Sequence, residues 1–220
     1  VVVAVAAVIV VLVLVNQSPS PSSLTTPSVL TPTGSASGQT VGSSSASVTL
    51  DLWADFQCPV CKQFTESVEP SIMSEYVSVG KARLIFHDFA FIGTESTQAA
   101  IGGLCAADQG KFWPYHDYVY ANQGAENSGA LSDGKLKAIA QAVGMDTTTF
   151  SSCLASSAKR QAVQDEATQA QSMGISGTPT LYVNGTQVPN PLDYGAVSAA
   201  IDAALQSASP APSASASPAS

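Results

Sequence analysis

Apolar and polar positions follow three rhythms along the 220-residue chain. The first fifteen residues, Val1 to Val15, are an unbroken run of Val, Ala, Ile and Leu with no polar face. Residues 16–46 are Ser, Thr, Pro and Gly with scattered Val and Leu, which matches neither a helical nor a strand period. From residue 47 the pattern alternates strand and helix. Residues 47–56 (Ser-Val-Thr-Leu-Asp-Leu-Trp-Ala-Asp-Phe) predict a strand, and residues 59–76 predict a helix, with Phe64, Val68, Ile72 and Tyr76 spaced four apart on one face. A second strand is expected over 81–91. A long helical stretch follows over 95–123, 132–143 and 146–173, broken by glycines at 124–134 and at Gly144. Residues 180–188 read as a hairpin about Gly185-Thr186, and residues 192–205 as a closing helix. The order is β-α-β, a helical block, then β-β-α.

This order implies an α/β domain over 47–206 carrying a helical insertion at about 94–173. Every one of the twenty-four Asp, Glu, Lys and Arg residues falls within 51–202. The apolar run of 1–15 would rise roughly 22 Å as a helix, short of the ~30 Å hydrocarbon core. Starting without Met, it reads as the remainder of a longer segment, either a retained membrane anchor or a signal-peptide core. The anchor is favoured because no small-x-small pattern closes the run. Residues 16–46 are expected to be a disordered tether and residues 207–220, a Ser/Ala/Pro repeat, a disordered tail. The net charge of −8, with only eight basic residues and none clustered, argues against a nucleic-acid partner.

The four cysteines are Cys58, Cys61, Cys105 and Cys153. Cys58-Pro59-Val60-Cys61 follows a strand and opens a helix. Pro59 suits the first helical position because its missing N–H is one of the unpaired donors anyway. Cys58 then faces free N–H groups at the positive end of the helix dipole, which favours a thiolate. At a reference pKa of about 8.5 roughly 3% of a thiol is ionised at pH 7; at about 5.5 roughly 97% is. Cys61, one turn in, is placed to close a disulfide from a more shielded position. A C-x-x-C pair can also be half of a zinc site or a structural bridge. Zinc needs two further ligands at ligand spacing, and neither Cys105 and Cys153 nor His87 and His116 offer them. The redox reading is carried forward, with no metal and no cofactor. Both histidines and the aromatic group around Trp113 are read as packing.

Several further motifs occur in one order: Asp55-Phe56-Gln57 before Cys58, Gln109-Gly110-Lys111-Phe112-Trp113 with Tyr115-His116-Asp117, Phe150 with Cys153-Leu154, and Gly177-Thr178-Pro179-Thr180 with Val183-Asn184-Gly185. Together they resemble the DsbA-like thioredoxin-fold proteins, in particular the membrane-anchored bacterial branch. The resemblance implies a thioredoxin fold with an all-helical insertion. It implies Cys58 and Cys61 as catalytic residues and a cis peptide at Thr178–Pro179 beside them. Pro59, Val60, Thr178 and Pro179 would then offer the surface for an incoming peptide, and Cys105–Cys153 would be a structural disulfide. One position departs from the pattern: many relatives carry a buried Glu six residues before the first cysteine, and Leu52 stands there. Asp51 and Asp55 should point to the other face of the strand.

The expected activity is that of a protein dithiol oxidase outside the cytoplasm, introducing disulfides through Cys58 and Cys61 into reduced or misoxidised secreted proteins. The resemblance adds a membrane, quinone-linked partner that re-oxidises the pair; a monomer is expected because no separate dimerisation segment is seen. Two alternatives stay open on sequence: a reductase or isomerase with the same chemistry, and a non-catalytic peptide-binding module.

Overall fold

The computed structural model describes residues 24–32 and 34–208. A six-stranded sheet runs in the order β1-β2-β4-β3-β5-β6. Its strands are β1 (Ala36–Ser37), β2 (Thr40–Gly42), β3 (Val48–Ala54), β4 (Ala82–Asp88), β5 (Thr180–Val183) and β6 (Thr186–Gln187). β3 lies at the centre, parallel to β4 and antiparallel to β5. Alternation along β3 sends Val48, Leu50 and Leu52 into the main core, whereas Trp53 enters a smaller cluster with Phe89, Ala170 and Ile175.

Helix α1 (Pro59–Ser67) follows β3, and α2 (Glu69–Ile72) continues its direction into a π-helical turn at Met73–Val77. A single helix over 59–76 was expected. Pro70 lacks the N–H that would bond one turn back, so the run is interrupted at Val68. The insertion holds α3 (Thr94–Asp108), α4 (Phe112–Ala121), α5 (Asp133–Ala142), α6 (Thr147–Leu154) and α7 (Ser157–Ser172), and α8 (Tyr194–Ala208) closes the chain. The break between α6 and α7 has no glycine; Ser156 makes it by capping, its hydroxyl accepting from Lys159 N at 3.3 Å. α3 is the hub of the insertion, packing on α4, α5, α6 and α7. Gly102 permits this, because a Cβ there would meet the hydroxyl of Tyr115.

Two seams join the insertion to the sheet. In one, the rings of Phe56, Phe86, Phe112, Trp113 and Tyr120 surround the fully buried His116. In the other, His87 on β4 sits between Asp51 on β3 (3.1 Å) and Glu166 on α7 (2.9 Å), stacked on Trp53. The two carboxylates outweigh burial and push His87 up to about 9, so it is a cation there at neutral pH. Asp51 and Trp53 do face away from Leu52, as strand alternation requires.

The expectation of a disordered tether over 16–46 fails for its described part. β2 adds to the edge of β4 with Thr40 opposite Ile85, and β1 folds back on β2. Low hydrophobicity does not prevent this, because an edge strand offers backbone hydrogen bonds that need no apolar side chain. Val41 supplies the one apolar anchor, and Gly42 is required at φ 111, where a Cβ would stand 2.7 Å from Ala82 O. Upstream, residues 24–32 lie along α4. Asn122 pairs with Thr25 through both its N–H and its C=O (2.9 and 2.8 Å), and Thr31 donates to Asp117 from its backbone and its hydroxyl (2.7 and 2.9 Å). At the other end α8 continues to Ala208, so Ser207 and Ala208 belong to a helix rather than to a tail. The apolar run 1–15 and most of the expected tail lie outside the described residues. Among the described residues no helix is long and apolar enough to cross a membrane.

Candidate active site

The site is built where β3 ends and α1 begins. Asp55 closes the strand, and its buried carboxylate gathers three backbone N–H groups: Gln57 at 2.8 Å, Phe91 at 2.9 Å and Ile92 at 3.1 Å. It thereby ties the turn before Cys58 to the chain leaving β4. Cys58 N donates to Asp55 O at 3.0 Å, and Cys58 takes the N-cap of α1 in extended conformation with Pro59 at the first position. No side chain caps this helix start, so the free N–H groups of the first turn face the Cys58 sulfur.

Cys58 and Cys61 are both free thiols here. Cys61 is 2% exposed and Cys58 only 6%, so the outer sulfur is more enclosed than expected. The exposed corner is Pro59-Val60, with Val60 at 40%. Across from the pair, Thr178–Pro179 is a cis peptide. The Cys58 thiol donates to Thr178 O at 3.4 Å, while the Thr178 hydroxyl is buried with no other group to bond among the described residues, which leaves it to the Cys58 sulfur. The structure thus brings Cys58, Pro59, Val60, Cys61, Thr178 and Pro179 to one place. It sets Cys105 and Cys153 apart from them, joined as a disulfide between α3 and α6.

The two thiols are driven in opposite directions. Cys58 falls to about 6, chiefly because the Cys61 thiol donates to it; burial opposes this, and the Thr178 hydroxyl and the N–H groups of Cys61 and Val60 assist. Cys61 is raised well above its ordinary value, first by burial and then by the negative Cys58 beside it. At pH 7 the reduced pair therefore holds one proton, on Cys61.

Sequence reasoning missed the side chains behind this loop. Tyr120 OH donates to Asp55 O at 3.3 Å, and Gln123 Nε2 donates to both Phe56 O (2.8 Å) and Cys58 O (3.0 Å). Gln57 is buried and bonded to Ser96 Oγ (2.9 Å) and Asn127 N (2.7 Å). Only the three-residue spacing of Tyr120 and Gln123 at a helix end hinted that they share a face. Where α2 meets α4, Glu69, His116 and Asp117 form the one group of metal-type donors among the described residues. His116 Nδ1 is 2.9 Å from Asp117, and Thr31 bonds both carboxylates. Burial pushes Glu69 up to about 7 although His116 pulls the other way. Neither cysteine pair takes part in this group.

A thioredoxin-type sheet that presents one activated and one shielded thiol beside a cis proline defines a thiol–disulfide oxidoreductase. Comparison with known proteins agrees. Residues 35–203 match the family described as thioredoxin. The probable disulfide bond formation protein D of Bacillus cereus is 31% identical over 172 residues, which covers 76% of this chain and 79% of that protein. The oxidised crystal structure of BdbD from Bacillus subtilis superposes with a TM-score of 0.73 at 25% identity, over 77% of this chain and 93% of that one. Alpha-DsbA1 of Wolbachia pipientis shares the fold, with a TM-score of 0.69 at 21% identity over 77% and 92% of the two chains. The chain belongs to the thioredoxin family, as a DsbA-like protein thiol:disulfide oxidoreductase.

Proposed function

We propose that the enzyme is a dithiol oxidase that introduces disulfides into secreted proteins, with Cys58 as the attacked and Cys61 as the resolving sulfur. The opposite displacement of the two thiols carries this reading. A substrate thiolate attacks Cys58 Sγ of the Cys58–Cys61 disulfide; the S–S bond breaks and Cys61 leaves, taking up a proton. A second substrate thiolate attacks the substrate sulfur of the mixed disulfide, and Cys58 leaves as a thiolate. Two electrons pass from substrate to enzyme, and the substrate gains a disulfide. A stable Cys58 thiolate is a good leaving group and favours the reduced enzyme, which makes the pair oxidising.

Pro59, Val60, Thr178 and Pro179 form the contact surface for the incoming chain. Val60, Phe91 and Met173 are exposed and apolar, as an unfolded polypeptide substrate requires. Cys105–Cys153 is a structural bridge. The enzyme works outside the cytoplasm as a monomer, tethered to the membrane through its N-terminal apolar segment. A quinone-linked membrane partner accepts its electrons. The relatives' printed role in disulfide bond formation supports the setting.

The test is the reduction potential of Cys58–Cys61, from equilibrium with glutathione. The expected value lies well above about −180 mV, toward the roughly −120 mV of strong oxidants. A value near about −270 mV would make the protein a reductase.

A further inference from the structure

We propose that Gln123, which belongs to the helical insertion, is a positioning residue for exchange at Cys58, holding the main chain in the one arrangement that turns the helix-start N–H groups onto that sulfur. The inference rests on the assignment of Cys58 as the attacked sulfur. Between β3 and α1 the chain must leave a sheet and enter a helix within four residues, so its carbonyls lie outside both regular ladders. Asp55 O is taken by Cys58 N and by Tyr120 OH. Phe56 O accepts from Gln123 Nε2 at 2.8 Å and Cys58 O from the same nitrogen at 3.0 Å. Cys58 O also begins the helical ladder, accepting from Lys62 N at 3.1 Å. One amide nitrogen, with two hydrogens, thus staples the carbonyls on either side of Gln57. Gln57 is itself locked to Ser96 and Asn127 of the insertion.

Two physical consequences follow for Cys58. The Cys58–Pro59 peptide cannot rotate without breaking the Gln123 bond, so the Val60 and Cys61 N–H groups remain aimed at Sγ. In addition, the amide hydrogens offset the negative potential that these two carbonyl oxygens, one of them Cys58's own, place on the loop. Removing the donor leaves Phe56 O unpaired and Cys58 O with Lys62 N alone, and it loosens the helix start; both effects work against the anion. Gln123 is well placed for this, since its own N–H is bonded to Tyr120 O at 3.2 Å and fixes it to the end of α4. Its neighbour Asn122 faces the other way, to Thr25 of the N-terminal segment.

The full chain is made with Gln123→Met, which keeps the length but removes the donor, and with Gln123→Glu, which keeps the shape and places a carboxylate against the carbonyls. Asn122→Ala serves as the control. Thiolate absorbance of the reduced proteins is titrated with pH, and the equilibrium with glutathione is measured. The titratable neighbours of Cys58, namely Cys61, Asp55 and Tyr120, are unchanged throughout. Gln123→Met should move the Cys58 midpoint upward from near 6 and shift the glutathione equilibrium about tenfold toward the protein disulfide, the factor that one pKa unit represents. Gln123→Glu should move both further. Asn122→Ala should lower the melting temperature and leave both untouched. Midpoints in Met and Glu variants equal to wild type, with folding intact, would reduce Gln123 to packing. Should the Met variant not fold, the isosteric Glu variant decides alone. If wild type fails to exchange with glutathione, the oxidase reading falls, and the thiolate titration still decides the role of Gln123.

Discussion

Two pairs of cysteines occupy one small domain, and their surroundings give them opposite characters. Cys105 lies in the last turn of α3 and Cys153 near the end of α6, forty-eight residues apart, with Cα atoms 5.8 Å from each other. Their helices are stitched together inside the insertion, and neither sulfur faces a helix start. Cys58 and Cys61 lie within one turn of the same helix, so a bond between them constrains almost no chain. What distinguishes them is the setting: Cys58 sits at an uncapped helix N-terminus, against a cis proline, with four donors directed at its sulfur. Reactivity is decided by what surrounds a sulfur, and structural value by how much chain its bond closes.

Substitutions should separate the two properties, and the largest effect is expected at Cys58. Cys58→Ser should lower the oxidation rate of a dithiol peptide by at least about 1000-fold, because serine forms no disulfide. A variant retaining a tenth of the rate would mean that some other sulfur is attacked. The double change Cys105→Ser with Cys153→Ser should do the reverse. Exchange should continue within about twofold, while unfolding in denaturant should show a loss of about 2–4 kcal/mol, the usual contribution of a bridge over a loop of this order. Slowed exchange with unchanged stability would invert the assignment of the pairs.

A pH series sharpens the contrast further. Cys58 has a folded-state value depressed to about 6, below that of the unfolded thiol. Stability derived from its thiolate is therefore fully present above the unfolded value near 9 and is lost as pH falls through about 6. The disulfide form has no such dependence. The reduced protein should gain melting temperature over the oxidised one between pH 5 and about 9, and its alkylation rate should rise with a midpoint near 6. Parallel melting curves in both redox states would contradict the thiolate assignment. The smallest effect is expected from Thr178→Val, which removes one hydroxyl donor. The Cys58 midpoint should rise by about 0.7, the equivalent of a single net hydrogen bond of about 1 kcal/mol. A midpoint that stays put would show that the buried hydroxyl does not reach the sulfur.

Much of this arrangement was legible in the residues. The β-α-β and β-β-α halves followed from periodicity, and the helix-start position of Cys58 followed from Pro59 and the preceding strand. The pairing of Cys105 with Cys153 and the cis bond at Thr178–Pro179 came through resemblance alone, since spacing cannot specify a partner forty-eight residues away or a peptide isomer. The N-terminal hairpin was missed because composition measures side chains, whereas β2 is held mainly by backbone bonds to the edge of β4. Asp55 was read as part of a motif and for the face it occupies, but its role as acceptor of three N–H groups depends on where the chain runs after β4.

The sequence by itself determined which atoms can react: two sulfurs one helical turn apart, the outer one at the end of a dipole. Those features are local, set within four residues by chain chirality and by proline. Only the tertiary structure decided how far the two thiols are driven apart. Burial of Cys61, the Thr178 hydroxyl and the amide of Gln123 all come from segments 65 to 120 residues away or from the packing they create. Hydrogen bonds and desolvation act over a few ångströms in space, and a linear pattern carries no record of that distance.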